Sequence, residues 1–218
     1  MDYEMTEYQK IPAPFKRHVE GPNRNKLIIG EWSSPELAAL KNINWIWTEK
    51  VDGTNIRVIW DGHKVRFGGR TDAAQIPAKL ISVLQEKFPE ELLEEAFGAT
   101  PAVLYGEGYG AGIQSGGVYR SDMSFVLFDV KIDSWWLLRA NVEDIAVAKL
   151  GIDVVPILWV GTIEDAIAQV QAGLQSAWRP ATRPEQTWAE GLVGVTQAGL
   201  LDRGGNRIIV KIKTKDFR

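Results

Sequence analysis

Glu49-Lys50-Val51-Asp52-Gly53-Thr54-Asn55 is the stretch on which the reading of this chain turns. It places an amine, two carboxylates, a glycine and an amide in consecutive positions, between the apolar-rich residues 43–47 and the alternating run Ile56-Arg57-Val58-Ile59-Trp60. That pattern predicts a strand, a tight corner and a second strand, a central hairpin. A lysine at such a corner, with Gly53 allowing backbone to approach a ligand closely, is a candidate covalent nucleophile. The bland alternative is a surface hairpin whose charges are solvated, so the residues elsewhere in the chain must decide.

Composition narrows the classes. With 218 residues, 45% hydrophobic and 24% charged, the chain can bury a sizeable core, and its length calls for no second domain. No apolar run is long enough to span a bilayer, and the acidic start Met1-Asp2-Tyr3-Glu4 lacks the apolar segment of a signal peptide, so a cytoplasmic location is expected. The absence of cysteine excludes disulfides, thiolate metal sites and a cysteine nucleophile. A formal charge of −3 argues against wholesale coating of nucleic acid but leaves room for a local basic groove. Most of the nine tryptophans are expected in packing, a minority as stacking platforms.

Along the chain, a basic arm over residues 10–26 precedes the strand Leu27–Trp32, and Ser34-Pro35-Glu36 starts a short helix to about Lys41. Lys64-Val65-Arg66-Phe67 alternates as a strand and stops at Gly68-Gly69-Arg70-Thr71. Pro77 and Pro89 open amphipathic helices reaching Lys87 and Phe97. Residues 103–110 are expected as a strand ending in a glycine-rich turn, and residues 124–130 as a further strand. Asn141 caps a helix ending at Gly151, and Thr162 caps one ending at Gly173. Residues 154–159 form a strand whose Pro156 suggests an edge. An exposed loop over 178–188 carries Arg179 and Arg183, and two strands, 189–196 and 207–213, close the chain through Gly204-Gly205-Asn206. The expected architecture is α+β: antiparallel β-sheets packed together, with peripheral helices, in a single domain over 1–218.

Five further places stand out. Glu107 and Glu190 each sit beside glycine next to a buried-looking run. Lys211 and Lys213 are two apart on the last strand and so share a face. Arg70 ends a strand after two glycines, and Phe128 lies within a strand. Each has a plain explanation: edge-strand lysines guard against aggregation, Gly-Glu pairs make turns, and strand phenylalanines fill cores. Their order and their spacing from Lys50 change the weighing.

In that order the residues resemble the covalent nucleotidyltransferases, which include ATP-dependent DNA ligases, RNA ligases and messenger-RNA capping enzymes, and are most similar to the phage-type RNA ligases that seal nicks in duplex RNA. The first motif, Lys-x-Asp/His-Gly, is Lys50-Val51-Asp52-Gly53, extended by Glu49 before it and Thr54-Asn55 after it. The later motifs match Arg70, Glu107, Phe128-Asp129, Glu190-Gly191 and Lys211-Ile212-Lys213. The resemblance implies a nucleotidyltransferase, ATP-grasp-like ligase core. Ligases of this class usually carry another domain after the Lys-x-Lys motif. Here the sequence stops five residues beyond Lys213, so no C-terminal accessory domain is expected, and a partner protein could replace one.

What the resemblance implies chemically is a lysyl-AMP on Lys50, transfer of AMP to an RNA 5′-phosphate, and sealing by a 3′-hydroxyl, with ATP as cofactor and RNA ends as partner. Freeing a lysine amine at pH 7 costs about 4–5 kcal/mol from the reference state, a cost lowered by burial and nearby cations. The same resemblance puts Lys211 and Lys213 on the α-phosphate, Phe128 on adenine, Asn55 and Arg70 on phosphate or sugar, and Glu49 at the edge of the base. Asp52 orients Lys50 or holds the corner. With only His18 and His63 as imidazoles, a metal needs oxygen ligands, so Mg²⁺ or Mn²⁺ is expected on Glu190, with Glu107 on the ribose hydroxyls and near the metal. The competing readings are a DNA ligase, a capping-type guanylyltransferase, and a nucleotide-binding RNA-interaction protein without turnover.

Overall fold

Three antiparallel sheets and five α-helices make up the residues that the computed structural model describes, 7–178 and 188–217. In chain order the elements begin with β1 (Phe15–Arg17), β2 (Leu27–Trp32), α1 (Pro35–Ala39), β3 (Trp45–Glu49), β4 (Thr54–Trp60) and β5 (Val65–Gly68). Next come α2 (Ala78–Lys87), α3 (Glu90–Phe97), β6 (Ala102–Gly110), β7 (Met123–Ile132), β8 (Trp135–Trp136) and α4 (Arg139–Asp144). The chain closes with β9 (Ile157–Gly161), α5 (Ile163–Gly173), β10 (Gly191–Thr196) and β11 (Ile209–Lys213). This is the expected α+β class. No helix among the described residues is long and apolar enough to cross a membrane.

The chain divides into two compact units, and it passes between them at Tyr8–Gln9, Val51–Asp52 and Val155–Pro156. One unit holds Asp52–Val155 and is built on a five-stranded sheet in the order β5-β4-β6-β7-β8. Alternation along β4 sends Ile56, Val58 and Trp60 to one face, where they meet Leu80 and Leu84 of α2, Leu93 and Phe97 of α3, and Val142 of α4. Each large aliphatic or aromatic side chain buried this way contributes about 1.5–3 kcal/mol. Trp60 is fully buried, and its indole N–H donates to the Gly98 carbonyl at the end of α3, so the one polar atom of that ring is satisfied.

The other unit holds Gln9–Val51 and the stretch from Pro156 on. Its four-stranded sheet runs β11-β10-β3-β9. Trp45 and Trp47 of β3 are fully buried with Leu192, Val210 and Ile212, against Ile163, Ala166 and Val170 of α5. Gly194 faces Trp47 across the sheet, and a Cβ there would stand 2.5 Å from the indole ring, so glycine makes room for the tryptophan. α5 begins on a capping box in which the Thr162 hydroxyl accepts the Asp165 N–H and the Asp165 carboxylate accepts the Thr162 N–H.

Three expectations need correction. The hairpin of residues 43–47 with 56–60 does not form: β3 pairs with β10 and β9, and β4 pairs with β6 and β5, so each strand has both edges taken by other partners. The helix expected to have Asn141 as its cap is capped three residues earlier. Leu138 is its cap position, and Arg139 ties in the first turn by donating to Glu143 and to the Val155 carbonyl. The strand expected over 154–159 is split at Pro156: Val154 makes a parallel bridge to Leu127, whereas β9 begins at Ile157 as the edge strand of the other sheet. Arg179 and Arg183, in the expected loop, lie outside the described residues.

Gly106 is enclosed tightly enough to give a test. A Cβ there would lie 2.1 Å from the Phe125 ring and 2.5 Å from the Val126 carbonyl oxygen. Gly106→Ala is expected to lower the unfolding free energy by about 2 kcal/mol, measured by urea titration.

Candidate functional site

Lys50 follows β3 directly, and its N–H donates to the Gly191 carbonyl at 2.9 Å, carrying the β3–β10 ladder one residue past the strand. Its ammonium sits 2.7 Å from one carboxylate oxygen of Glu190, while Lys213 donates to the other at 2.9 Å. All three side chains keep about a fifth to a quarter of their surface exposed, so the group is reachable from solvent. The grouping depends on Gly191, which pairs with Lys213 and where a Cβ would meet the Ile212 carbonyl oxygen at 2.0 Å. Lys211, half-buried, lies two residues before Lys213 and therefore on the same side of β11. Lys50 and Lys213 thus converge on one carboxylate at the end of the sheet, a gathering of ammonium groups that suits a polyphosphate.

Glu49 belongs elsewhere. It is 2% exposed, and its carboxylate accepts the Ser176 hydroxyl and the backbone N–H groups of Ala177 (2.8 Å) and Trp178 (3.1 Å). Alternation puts it on the opposite face from Lys50, where it anchors the turn after α5. Ser176 and Trp178 carried no sequence signal for this role, because the contact spans more than 120 residues.

The five-stranded sheet assembles a second group on the face opposite its helices. Asn55 of β4 pairs with Glu107 of β6, and Arg57 pairs with Tyr105, which in turn pairs with Asp129 of β7. The Asn55 side-chain oxygen is buried and has no hydrogen-bond partner among the described residues. Such an atom costs desolvation energy unless a donor reaches it, so it is suited to a ligand hydroxyl. Gly53 sets the corner against β6: a Cβ would stand 2.3 Å from the Gly108 carbonyl oxygen and 2.8 Å from the Glu107 side chain. The Asp52 N–H donates to the hydroxyl of the buried Tyr119, which fixes the corner through its backbone. The Asp52 carboxylate makes no ion pair or hydrogen bond among the described residues.

Phe128 owes its setting to a β-bulge. Tyr105 pairs with Asp129 and Gly106 with Leu127, so Phe128 is the extra residue of β7 and stays half-buried. Arg70 is exposed and makes no ion pair among the described residues, but the loop that carries it is clamped. The fully buried Arg57 donates to the Gly69 carbonyl and to the Asp72 carboxylate, both at 2.7 Å, and packs so closely on Gly68 that a Cβ there would stand 2.9 Å from its guanidinium. In the sequence, Arg57 looked like an outward residue of an alternating strand, and nothing local marked it as a clamp.

For a divalent cation, the described residues contain no cluster of three or more acidic or histidine side chains. A small hard cation that keeps its waters and takes one or two carboxylates with substrate phosphates needs no such cage. Both Glu190 oxygens already accept a lysine, yet a carboxylate offers about four lone-pair sites, so the donor set fits such an ion.

Antiparallel sheets that carry a Lys–Glu–Lys group at the end of one and an Asn–Glu pair on the other define a nucleotidyltransferase-type core. A model of the RNA ligase family matches residues 43–213, and the chain belongs to that family. Comparison with curated protein sequences finds no match. Among solved structures, the chain is similar to a Naegleria gruberi RNA ligase mutant with AMP and Mn, at 19% identity and a TM-score of 0.64, covering 84% of this chain and 53% of that one. A mutant of the same ligase with ATP and Mn gives 18% identity and a TM-score of 0.62 over 84% of this chain and 52% of that one. The same ligase with PPi gives 20% and 0.62 over 84% and 53%. The chain thus spans about half the length of these structures, and at such identities the likeness establishes the fold.

The Arg57 clamp is open to direct measurement. Arg57→Met keeps the stem and removes the donors. Amides 69–74 are expected to exchange hydrogen faster, and global stability to fall by about 2 kcal/mol, the scale of charge-assisted hydrogen bonds lost from a buried donor. Unchanged exchange in this loop would show that something else holds it.

Proposed function

We propose that this chain is an ATP-dependent RNA ligase or RNA adenylyltransferase, residues 1–218 acting as one adenylyltransferase domain in the cytoplasm through a lysyl-AMP on Lys50. The observation that carries this reading is the pairing of Lys50 and Lys213 on the two oxygens of Glu190, at 2.7 and 2.9 Å. A strand-end lysine held by a carboxylate, with a second lysine on that carboxylate and a third on the same strand face, combines a nucleophile with charge stabilisation for the phosphate it attacks.

In the first step the Lys50 nitrogen forms a bond to the α-phosphorus of ATP, the α–β phosphoanhydride breaks, and pyrophosphate leaves with the electron pair. An ammonium paired to Glu190 is not a nucleophile, so its proton must leave, and Glu190 is placed to accept or steer it. Lys213 and Lys211 neutralise charge gathering on the phosphate oxygens. In the second step an oxygen of an RNA 5′-phosphate attacks the same phosphorus and Lys50 departs as the amine. In the third, a 3′-hydroxyl attacks the 5′-phosphate, AMP leaves, and a phosphodiester remains. Mg²⁺ or Mn²⁺, held by Glu190 through water, with Glu107 near it, would supply Lewis-acid polarisation of phosphate oxygens.

The remaining roles follow from chemistry at each position. Phe128 offers a flat ring to adenine. Glu107 takes ribose hydroxyls. The unpartnered Asn55 oxygen can only accept, which favours a sugar hydroxyl over a phosphate. Arg70, with no ion pair of its own among the described residues, takes a phosphate or sugar oxygen. Asp52 helps to orient the amine, and Glu49 acts by holding the turn at 176–178. RNA ends are the partners, with a further protein as a candidate companion in positioning them.

With α-³²P-labelled ATP and Mg²⁺ or Mn²⁺, the protein is expected to carry label through a denaturing gel, mapped to Lys50, and Lys50→Ala to carry none. Label persisting in that variant, or arising from GTP but not ATP, rejects the assignment. Lys211→Ala and Lys213→Ala, verified as folded, are each expected to slow adduct formation by about tenfold or more through lost transition-state charge stabilisation. Wild-type rates in both would mean that the pair only protects an edge strand. Nicked RNA and nicked DNA duplexes compared in single-turnover sealing should favour the RNA substrate, and equal or reversed rates would move the chain to the DNA ligases.

A further inference from the structure

We propose that Tyr8 is a positioning residue for the base-stacking surface, acting through Phe128; the proposal rests on the reading of Phe128 as the adenine platform. Among the described residues Phe128 has one aromatic neighbour, Tyr8, with ring centroids 5.1 Å apart in an edge-on arrangement at 68°. The bulge that re-aims Phe128 also removes it from the cross-strand register, so no residue stands opposite it on β6 to limit its rotamers. Tyr8 supplies that missing wall.

Tyr8 is itself held firmly enough to do so. It is 6% exposed, and its hydroxyl donates to the carboxylate of Asp129, the residue that follows Phe128. Its ring also packs on Tyr105 at 5.0 Å and edge-on against Trp136 at 6.0 Å, and those two rings lie 5.1 Å from each other. The hydroxyl bond and the two further rings determine where the Tyr8 edge lies, and that edge meets Phe128. A platform ring that is already immobile loses less freedom when a base stacks on it, and the benefit falls on nucleotide affinity rather than on phosphorus chemistry. Tyr8 lies 121 residues before Asp129 in sequence, although it belongs to the same compact unit, and it falls outside every sequence pattern that flagged a site residue.

The test is single-turnover adduct formation by the full chain, read as the half-saturating ATP concentration and the limiting rate. Tyr8→Ala is expected to raise the half-saturating concentration about tenfold, the scale of an aromatic pair, and to leave the limiting rate within about twofold. Tyr8→Phe keeps the ring and loses the anchor to Asp129, and is expected to raise it about threefold, which keeps the proposal testable if Tyr8→Ala fails to fold. Combined with Phe128→Ala, either Tyr8 variant should add nothing further. The proposal is overturned if folded Tyr8 variants bind ATP as wild type does, if the limiting rate falls instead, or if their effect persists undiminished in the Phe128→Ala background. Phe128→Ala with unaltered ATP dependence would reject the adenine platform itself, and with it the Tyr8 role.

Discussion

One carboxylate sets the terms for the four-stranded sheet. Glu190 accepts Lys50 on one oxygen and Lys213 on the other, so the ends of three neighbouring strands, β3, β10 and β11, are tied by charge as well as by backbone ladder. Such an arrangement needs the backbones very close together. Gly191 allows it, because any side chain there would collide with the Ile212 carbonyl. At partial exposure the net stabilisation from the two ion pairs is modest. Their main effect is geometric: two long, flexible side chains with several rotatable bonds are held at a common point. The same carboxylate fixes where the Lys50 amine lies relative to Lys213.

Both large sheets divide their labour by the two-residue period of a strand. In the four-stranded sheet, Trp45 and Trp47 face α5 while Lys50, Lys211 and Lys213 occupy the alternate positions. In the five-stranded sheet, Ile56, Val58 and Trp60 face the helices while Asn55 and Arg57 occupy the alternate positions with Glu107 and Tyr105. Exceptions to the period mark sites. The bulge at Phe128 takes one aromatic ring out of register, and the buried guanidinium of Arg57 spends its donors on the Gly69 carbonyl and Asp72 to hold the loop bearing Arg70.

The two compact units take the chain in alternate pieces, and the passage from one to the other falls between Val51 and Asp52, inside the Lys-x-Asp-Gly motif. Lys50 is therefore anchored by its own N–H to Gly191, and Asp52 by its N–H to Tyr119, each within its own unit. Adjacent motif residues thus answer to different cores.

By itself the sequence determined the α+β class, most strands, the Ser34 and Thr162 caps, and the family, because alternation, capping and motif spacing are local or ordered properties that a chain displays without folding. It also marked Lys50, Glu190 and Lys213 as a set, though not that one carboxylate holds both lysines. Only the tertiary structure decided that β3 and β4 part into different sheets, since strand pairing depends on which edges remain open, a property of partners more than 40 residues away. It alone turned Glu49 toward Ser176, buried Arg57 as a clamp and set Tyr8 against Phe128. Each of these is a contact between residues far apart in sequence, made by side chains whose local pattern reads as ordinary packing or ordinary surface. Long-range hydrogen bonds and ring contacts leave no periodic trace, so the fold had to form before they could be seen.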